Sequence, residues 1–249
     1  MNKTIPSVPL MDYHIFSGDL SELSFGKKRL ISTLNQYSFC IAEEDPEFKN
    51  ALIKSDILLP DGMAIVAAIQ ILKGQRIKKI AGADLHHFLL NYLNHKGGKC
   101  FYLGSSQNTL TKITSRISGE FPNIKVETFS PAYKLEFSDY DNQQMIAAIN
   151  SFNPDVLFVG MTAPKQEKWA CKNKDSINAE TICSIGAVFD FYAGTIQRPN
   201  SFWIRLRLEW FIRLIKEPKR MSKRYLYYGP IFINLILKER FRMVFSKKE

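Results

Sequence analysis

Cysteine is scarce and dispersed: Cys40, Cys100, Cys171 and Cys183 form no Cys-x-x-Cys pair. That argues against a zinc ribbon or a disulfide frame and for reduced core thiols. Histidine is equally sparse, and His86-His87 are adjacent, so on a helix their rings point to different faces and cannot grip one metal together. No Gly-x-Gly-x-x-Gly and no Walker A sequence is present, which disfavours a dinucleotide-dependent dehydrogenase or an ATPase. Neither Ser184 nor Ser201 sits in a Gly-x-Ser-x-Gly elbow, so serine-hydrolase chemistry has no support. Apolar runs such as 231–233 and 235–237 around Asn234 fall far short of the ~20 residues a spanning helix requires. Residues 1–10 carry one lysine, two prolines and no apolar core, unlike a secretory signal, so the expected compartment is the cytosol.

What is present is a chain of 249 residues with 45% apolar content, enough for one large α/β domain with an appendage. Its net charge of +10 is placed at one end. Residues 198–249 hold 14 basic and 4 acidic groups, so residues 1–197 hold 20 of each sign out of totals of 34 and 24. A neutral core with a basic tail points to an anionic partner: lipid, nucleic acid or phosphorylated substrate. Within the core, apolar runs at 13–16, 29–34, 57–59, 99–103, 125–129, 155–159 and 181–185 alternate with helical patterns at 36–54, 63–72, 83–94, 108–119, 140–152 and 165–174. That alternation predicts a Rossmann-like, wound, mostly parallel sheet with helices on both faces. The boundaries expected are an α/β catalytic domain at 1–197 and a basic, aromatic-rich helical appendage at 198–249. No internal repeat or low-complexity segment is visible.

Pro60-Asp61-Gly62 sets a carboxylate where a buried strand hands over to a helix, at the edge of an open α/β sheet where ligands bind. Asp61 reads either as the helix N-cap or as a reacting group. Other strands end in small or polar residues at the same edge: Thr33-Leu34-Asn35, Gly104-Ser105-Ser106 and Gly160-Met161-Thr162. Gly104 and Ser105 leave amides at a helix start, as phosphate sites do. Pro164 at a first helical position aims Lys165 and Gln166 into the same cleft, where they suit a diphosphate and a sugar. Asp190 meets a base or ribose, or caps a turn. Asp139-Tyr140-Asp141 has the Asp-x-Asp form of some metal-dependent glycosyltransferases, but it follows Ser138 and opens a helix, which helix capping explains; no metal ligand set and no cofactor is expected. In the tail, Arg220, Lys223, Arg224 and Tyr227 fall at i, i+3, i+4 and i+7 of a helix at 219–228, predicting one shared face. An apolar stripe of Leu208, Phe211, Ile212 and Ile215, with Trp203, Trp210, Tyr225, Tyr227 and Tyr228, fits a bilayer interface.

Together Thr33-Leu34-Asn35, Pro60-Asp61-Gly62, Ala81-Gly82-Ala83-Asp84-Leu85, Phe101-Tyr102-Leu103-Gly104-Ser105, Ala163-Pro164-Lys165-Gln166-Glu167-Lys168-Trp169, Phe189-Asp190-Phe191-Tyr192-Ala193-Gly194 and Leu208-Glu209-Trp210 through Glu217-Pro218 resemble the WecG/TagA/CpsF family of bacterial glycosyltransferases. The order is the family's from about residue 12 to about residue 228. Departures are Thr162 where a small residue is usual, Ala83 for threonine and Ala187 for glycine.

The resemblance implies an inverting, metal-independent transfer of N-acetylmannosamine, its uronic acid or a related hexose from a UDP-sugar to an undecaprenyl-diphosphate-linked saccharide. The setting it implies is the cytoplasmic leaflet of the plasma membrane. Asp61 is then the general base, Thr33 and Asn35 lie near the acceptor or donor sugar, and Gln166 polarises the reacting groups. Gly104, Ser105, Thr162, Lys165, Asp190 and Arg198 face the UDP-sugar. Arg213, Arg220, Lys223 and Arg224 serve the diphosphate or the membrane, the tail acting as a lid. Two other classes compete: a nucleic-acid-binding protein, which the neutral core disfavours, and a catalytically silent nucleotide-sugar binder. A homo-oligomer is the alternative burial for the apolar stripe.

Overall fold

The computed structural model describes residues 5–23, 26–196, 211, 214–215 and 217–245. Its strands are β1 (Ser7–Leu10), β2 (Tyr13–Phe16), β3 (Arg29–Leu34), β4 (Ile57–Pro60), β5 (Lys99–Gly104), β6 (Lys125–Phe129), β7 (Val156–Gly160) and β8 (Thr181–Ser184). They form one sheet in the order β1-β2-β4-β3-β8-β7-β5-β6. The β1–β2 pair is antiparallel and the other pairs run parallel, the wound, Rossmann-like architecture expected.

Helices α1 (Gln36–Glu44), α2 (Pro46–Ile53), α3 (Met63–Lys73), α4 (Gly82–Lys96), α5 (Gln107–Glu120), α6 (Asp139–Phe152), α7 (Lys165–Asn173) and α8 (Ala187–Tyr192) cover both faces. The two-residue period of the strands divides the core. Cys100 and Tyr102 pack with Leu89 of α4, Ile113 of α5 and Phe189 of α8. Their neighbours Phe101 and Leu103 pack on the other face with Ile149 of α6 and Trp169 of α7.

Local signals set the breaks. Asp45 ends α1 and caps α2, its Oδ1 accepting from Phe48 N at 3.0 Å with Pro46 at the first helical position. Gly74 takes the left-handed cap after α3, at φ 69°.

Three elements differ from the sequence expectation. β1 was not foreseen; its Pro9 is tolerated because β1 is an edge strand. Residues 187–192, for which the sequence pattern predicted no element, form α8. In the tail, α9 (Pro218–Ser222) winds into a π-turn (Lys223–Tyr227) and then into α10 (Tyr228–Phe245), a helix running well past 228. Tyr228, Phe232 and Ile236 of α10, four apart, are buried in a cluster with Phe39 of α1 and Ile69 of α3. Tyr228 is therefore a core ring rather than an interfacial one, with its centroid 5.2 Å from that of Tyr37. The stripe residues Leu208 and Ile212, with Trp203 and Trp210, lie outside the described residues.

Candidate active site

The chain passes from β4 in one half of the sheet to β5 in the other, so the loops after β3, β4, β5, β7 and β8 open onto one crevice. A cavity of about 860 Å³ occupies it, within the ~300–1,000 Å³ usual for small-molecule sites. Thr33, Asn35, Asp61, Gly104, Ser105, Thr162, Lys165, Gln166, Asp190 and Arg224 all line it. Lys223 instead faces an open surface depression with Leu226 and Tyr227. Arg198 and Arg213 lie outside the described residues, as does the side chain of Arg220.

One wall is built on Asp61. Its amide donates to Leu34 O at 2.9 Å and to Leu59 O at 3.0 Å, tying the residue to the ends of β3 and β4. The N-cap of α3 is not Asp61 but Gly62, at φ 132° and ψ 148°, a conformation essentially reserved for glycine. The capping reading of Asp61 is thereby replaced: the glycine starts the helix one residue later, and Asp61 lines the cavity. Asn35 caps α1, with Oδ1 accepting from Tyr37 N and Ser38 N, each at 3.0 Å. Its oxygen is committed to the helix, which leaves the Nδ2 amide as the group a ligand would meet.

The opposite wall starts at Gly104, whose φ of 110° and close approach to the Gly160 carbonyl exclude any side chain. Ser105 is also left-handed, at φ 61°, and Ser106 caps α5 by accepting from Thr109 N at 3.2 Å. This turn places the amino end of a 14-residue helix at the cavity.

Residues 130–137 form the rim, with Tyr133 and Leu135 exposed. Lys165 holds that rim: its Nζ donates to Lys134 O and lies 3.6 Å from the Phe137 ring centroid, and burial pushes its pKa down. Pro164 proves to be the N-cap of α7, after a cis Ala163–Pro164 bond, rather than its first helical residue. The Asp-x-Asp segment is a cap, as expected. Asp141 Oδ2 accepts from Ser138 N at 2.9 Å, and Lys134 Nζ, 2.8 Å away, holds the carboxyl down at about 2.

Gln166 is buried, and its Oε1 accepts from Met161 N at 3.2 Å and Gly186 N at 3.1 Å. It therefore joins the loop after β7 to the loop after β8. Its carbonyl is committed to two backbone amides, so Gln166 shapes the site through those two loops. Glu167, present in the quoted motif but given no role there because its burial is set by the folded sheet, also lines the cavity. Its Oε1 accepts from Gln166 Nε2 at 2.8 Å, and burial pushes its pKa up to about 7. Asp190 accepts from Thr195 Oγ1 at 3.3 Å. Arg224, on the π-turn, stacks 4.6 Å from the Tyr37 ring centroid. The π-winding breaks the i, i+3, i+4, i+7 register, so Lys223 and Tyr227 do not share its face.

His86 is a core residue rather than a ligand. Its Nε2 lies 2.6 Å from Tyr102 Oη, and burial pushes its pKa down to about 3, so the ring is neutral.

Comparison with known proteins shows the family. The profile of the glycosyl transferase WecG/TagA/CpsF family matches residues 14–245. A Bacillus subtilis (strain 168) protein named N-acetylglucosaminyldiphosphoundecaprenol N-acetyl-beta-D-mannosaminyltransferase is 30% identical over 250 positions, covering 99% of this chain and 95% of its own. Proteins of the same name are similar in Bacillus spizizenii, 28% identical with 87% of this chain and 81% of the relative covered, and in Staphylococcus aureus (strain MW2), 27% identical with 75% and 71% covered. The chain belongs to the glycosyl transferase WecG/TagA/CpsF family and is a glycosyltransferase.

Proposed function

We propose that the protein transfers N-acetylmannosamine, or a closely related hexose, from a UDP-sugar to N-acetylglucosamine carried on undecaprenyl diphosphate, with inversion and without a metal. The observation that carries this reading is that a single cavity combines a carboxylate on one wall with a glycine-serine turn, a helix amino end, Lys165 and Arg224 on the others. Asp61 would take the proton from the acceptor hydroxyl as its oxygen bonds to the anomeric carbon and the bond from that carbon to the diphosphate breaks. The departing UDP would be met by the amides at the start of α5 and by cationic side chains. Arg224 is one of these; Arg198, Arg213 and Arg220 are the others expected. The relatives' names specify a beta-linked product, which from an alpha-linked nucleotide sugar is inversion, and one base suffices for a single displacement. The commitment of Asp141 to a helix cap supports charge neutralisation by side chains rather than by an Asp-x-Asp metal.

Membrane docking is part of the same reading. Among the described residues no helix is long and apolar enough to cross a bilayer. The outer face of α10 exposes Ile233, Leu237, Phe241 and Val244 at helical spacing, flanked by Lys238, Arg240 and Arg242. This stripe supports peripheral attachment to the anionic cytoplasmic leaflet, each basic side chain adding about 1 kcal/mol.

Incubation with labelled UDP-sugars and a lipid-diphosphate-N-acetylglucosamine acceptor, with and without EDTA, tests the proposal. EDTA-insensitive product formation with one donor is expected. No turnover with any donor, together with salt-sensitive binding to any duplex, would favour the nucleic-acid class instead.

A further inference from the structure

Resting on the transferase reading, we propose that Glu167 is a positioning residue for the nucleotide-sugar side of the cleft, acting through Gln166. The two ends of a glutamine amide have nearly the same shape, so surroundings alone decide which end is oxygen. Gln166 must present its oxygen to Met161 N and Gly186 N, because the reversed amide would set donors against donors. Glu167 Oε1, accepting from Nε2 at 2.8 Å, fixes that orientation. A single chain of hydrogen bonds then runs from the Glu167 carboxyl through the Gln166 amide to the loops after β7 and β8. Those loops carry Thr162 and Gly186 on the cavity wall.

Packing alone would not retain this group. Glu167 is 2% exposed, and its Oε2, like Ser184 Oγ, has no hydrogen-bond partner among the described residues. A buried carboxyl with an unsatisfied oxygen destabilises the fold relative to a leucine of similar volume. Residues kept against local stability mark functional positions. Lys165 and Lys168, its basic neighbours in sequence, are turned to Lys134 O and to Asp45 and Glu47 respectively. The carboxyl is thus held as a hydrogen-bond acceptor and not as half of an ion pair.

Kinetics of the full chain with UDP-N-acetylmannosamine and a lipid-diphosphate-N-acetylglucosamine acceptor test the assignment. Wild-type turnover tests the transferase reading itself, whereas the contrast between variants tests Glu167. Glu167→Leu is expected to raise KM for the nucleotide sugar roughly tenfold with acceptor KM unchanged. Glu167→Gln, whose amide oxygen can accept the same bond, is expected to restore donor KM. Gln166→Met breaks the chain at its next link and should give the same donor-specific rise, with the double variant no worse than Gln166→Met alone. It also stands in should Glu167→Leu not fold. A wild-type donor KM in Glu167→Leu or in Gln166→Met overturns the proposal, whatever happens to Tm or kcat. So does a Glu167→Gln enzyme as impaired as Glu167→Leu, since the carboxyl would then be acting by its charge.

Discussion

Glu167 is kept at a cost in local stability and Gly62 supplies a backbone conformation that other residues resist, and each makes a prediction at the scale of one residue. Gly62 holds φ 132° so that Asp61 stays on the wall; Gly62→Ala should cost about 1–3 kcal/mol of stability and lower turnover more than UDP affinity. Thermal unfolding and titration calorimetry check the pair, and a Gly62→Ala variant of full stability and full activity would contradict it. Glu167 has a pKa raised from 4.5 to about 7 by burial. The sign follows from linkage: the protonated form favours the fold, so the contribution is complete below about pH 4.5 and is lost as pH rises to about 7. Above that window the buried charge costs roughly 3 kcal/mol. The Tm advantage of Glu167→Gln over wild type should therefore grow by several degrees between pH 4.5 and 7 and then level off. A difference flat across pH would contradict it.

At the scale of elements, legibility followed the range of the interactions. Asp45-Pro46, Lys73-Gly74 and Ser138 act on their own helix ends, a range at which residue type alone carries the signal. The apolar strands feeding the cleft were equally plain, since parallel strands buried on both faces read as unbroken hydrophobic runs. The failures were tertiary. α8 is short and lies between glycines, and it persists because Val188 and Phe189 pack into the core with α4 and α5. The π-turn has no local signature that periodicity detects; it moves Arg224 over Tyr37 and sends Lys223 elsewhere. A helical wheel therefore predicted the wrong partners for Arg224. The Gln166–Glu167 pair was visible as a motif, but its bonds run to Met161 and Gly186, which only the folded sheet brings near. Arg224→Ala should lower kcat/KM at least tenfold by removing the cation proposed to meet the diphosphate; an unaltered value in steady-state kinetics would remove the π-turn from the mechanism.

Across the whole molecule, one charge-neutral sheet domain carries the crevice, and the basic C-terminal segment is joined to it through the inner face of α10. Tyr228, Phe232 and Ile236 are nearly fully buried. At ~1.5–3 kcal/mol per side chain, truncating the chain before α9 should cost roughly 5 kcal/mol and lower Tm by many degrees. An unchanged melting curve would show that α10 does not support the core. The outer face is the one proposed to meet the membrane: Leu237→Lys with Phe241→Lys should weaken sedimentation with phosphatidylglycerol vesicles at least tenfold, and equal co-sedimentation would contradict that proposal. The proposed transfer rests on Asp61 as its base. The most direct measurement is turnover by Asp61→Asn, a nearly isosteric change, alongside UDP affinity. UDP binding near wild type with turnover reduced by roughly 100-fold or more is the expected result; undiminished turnover would contradict it.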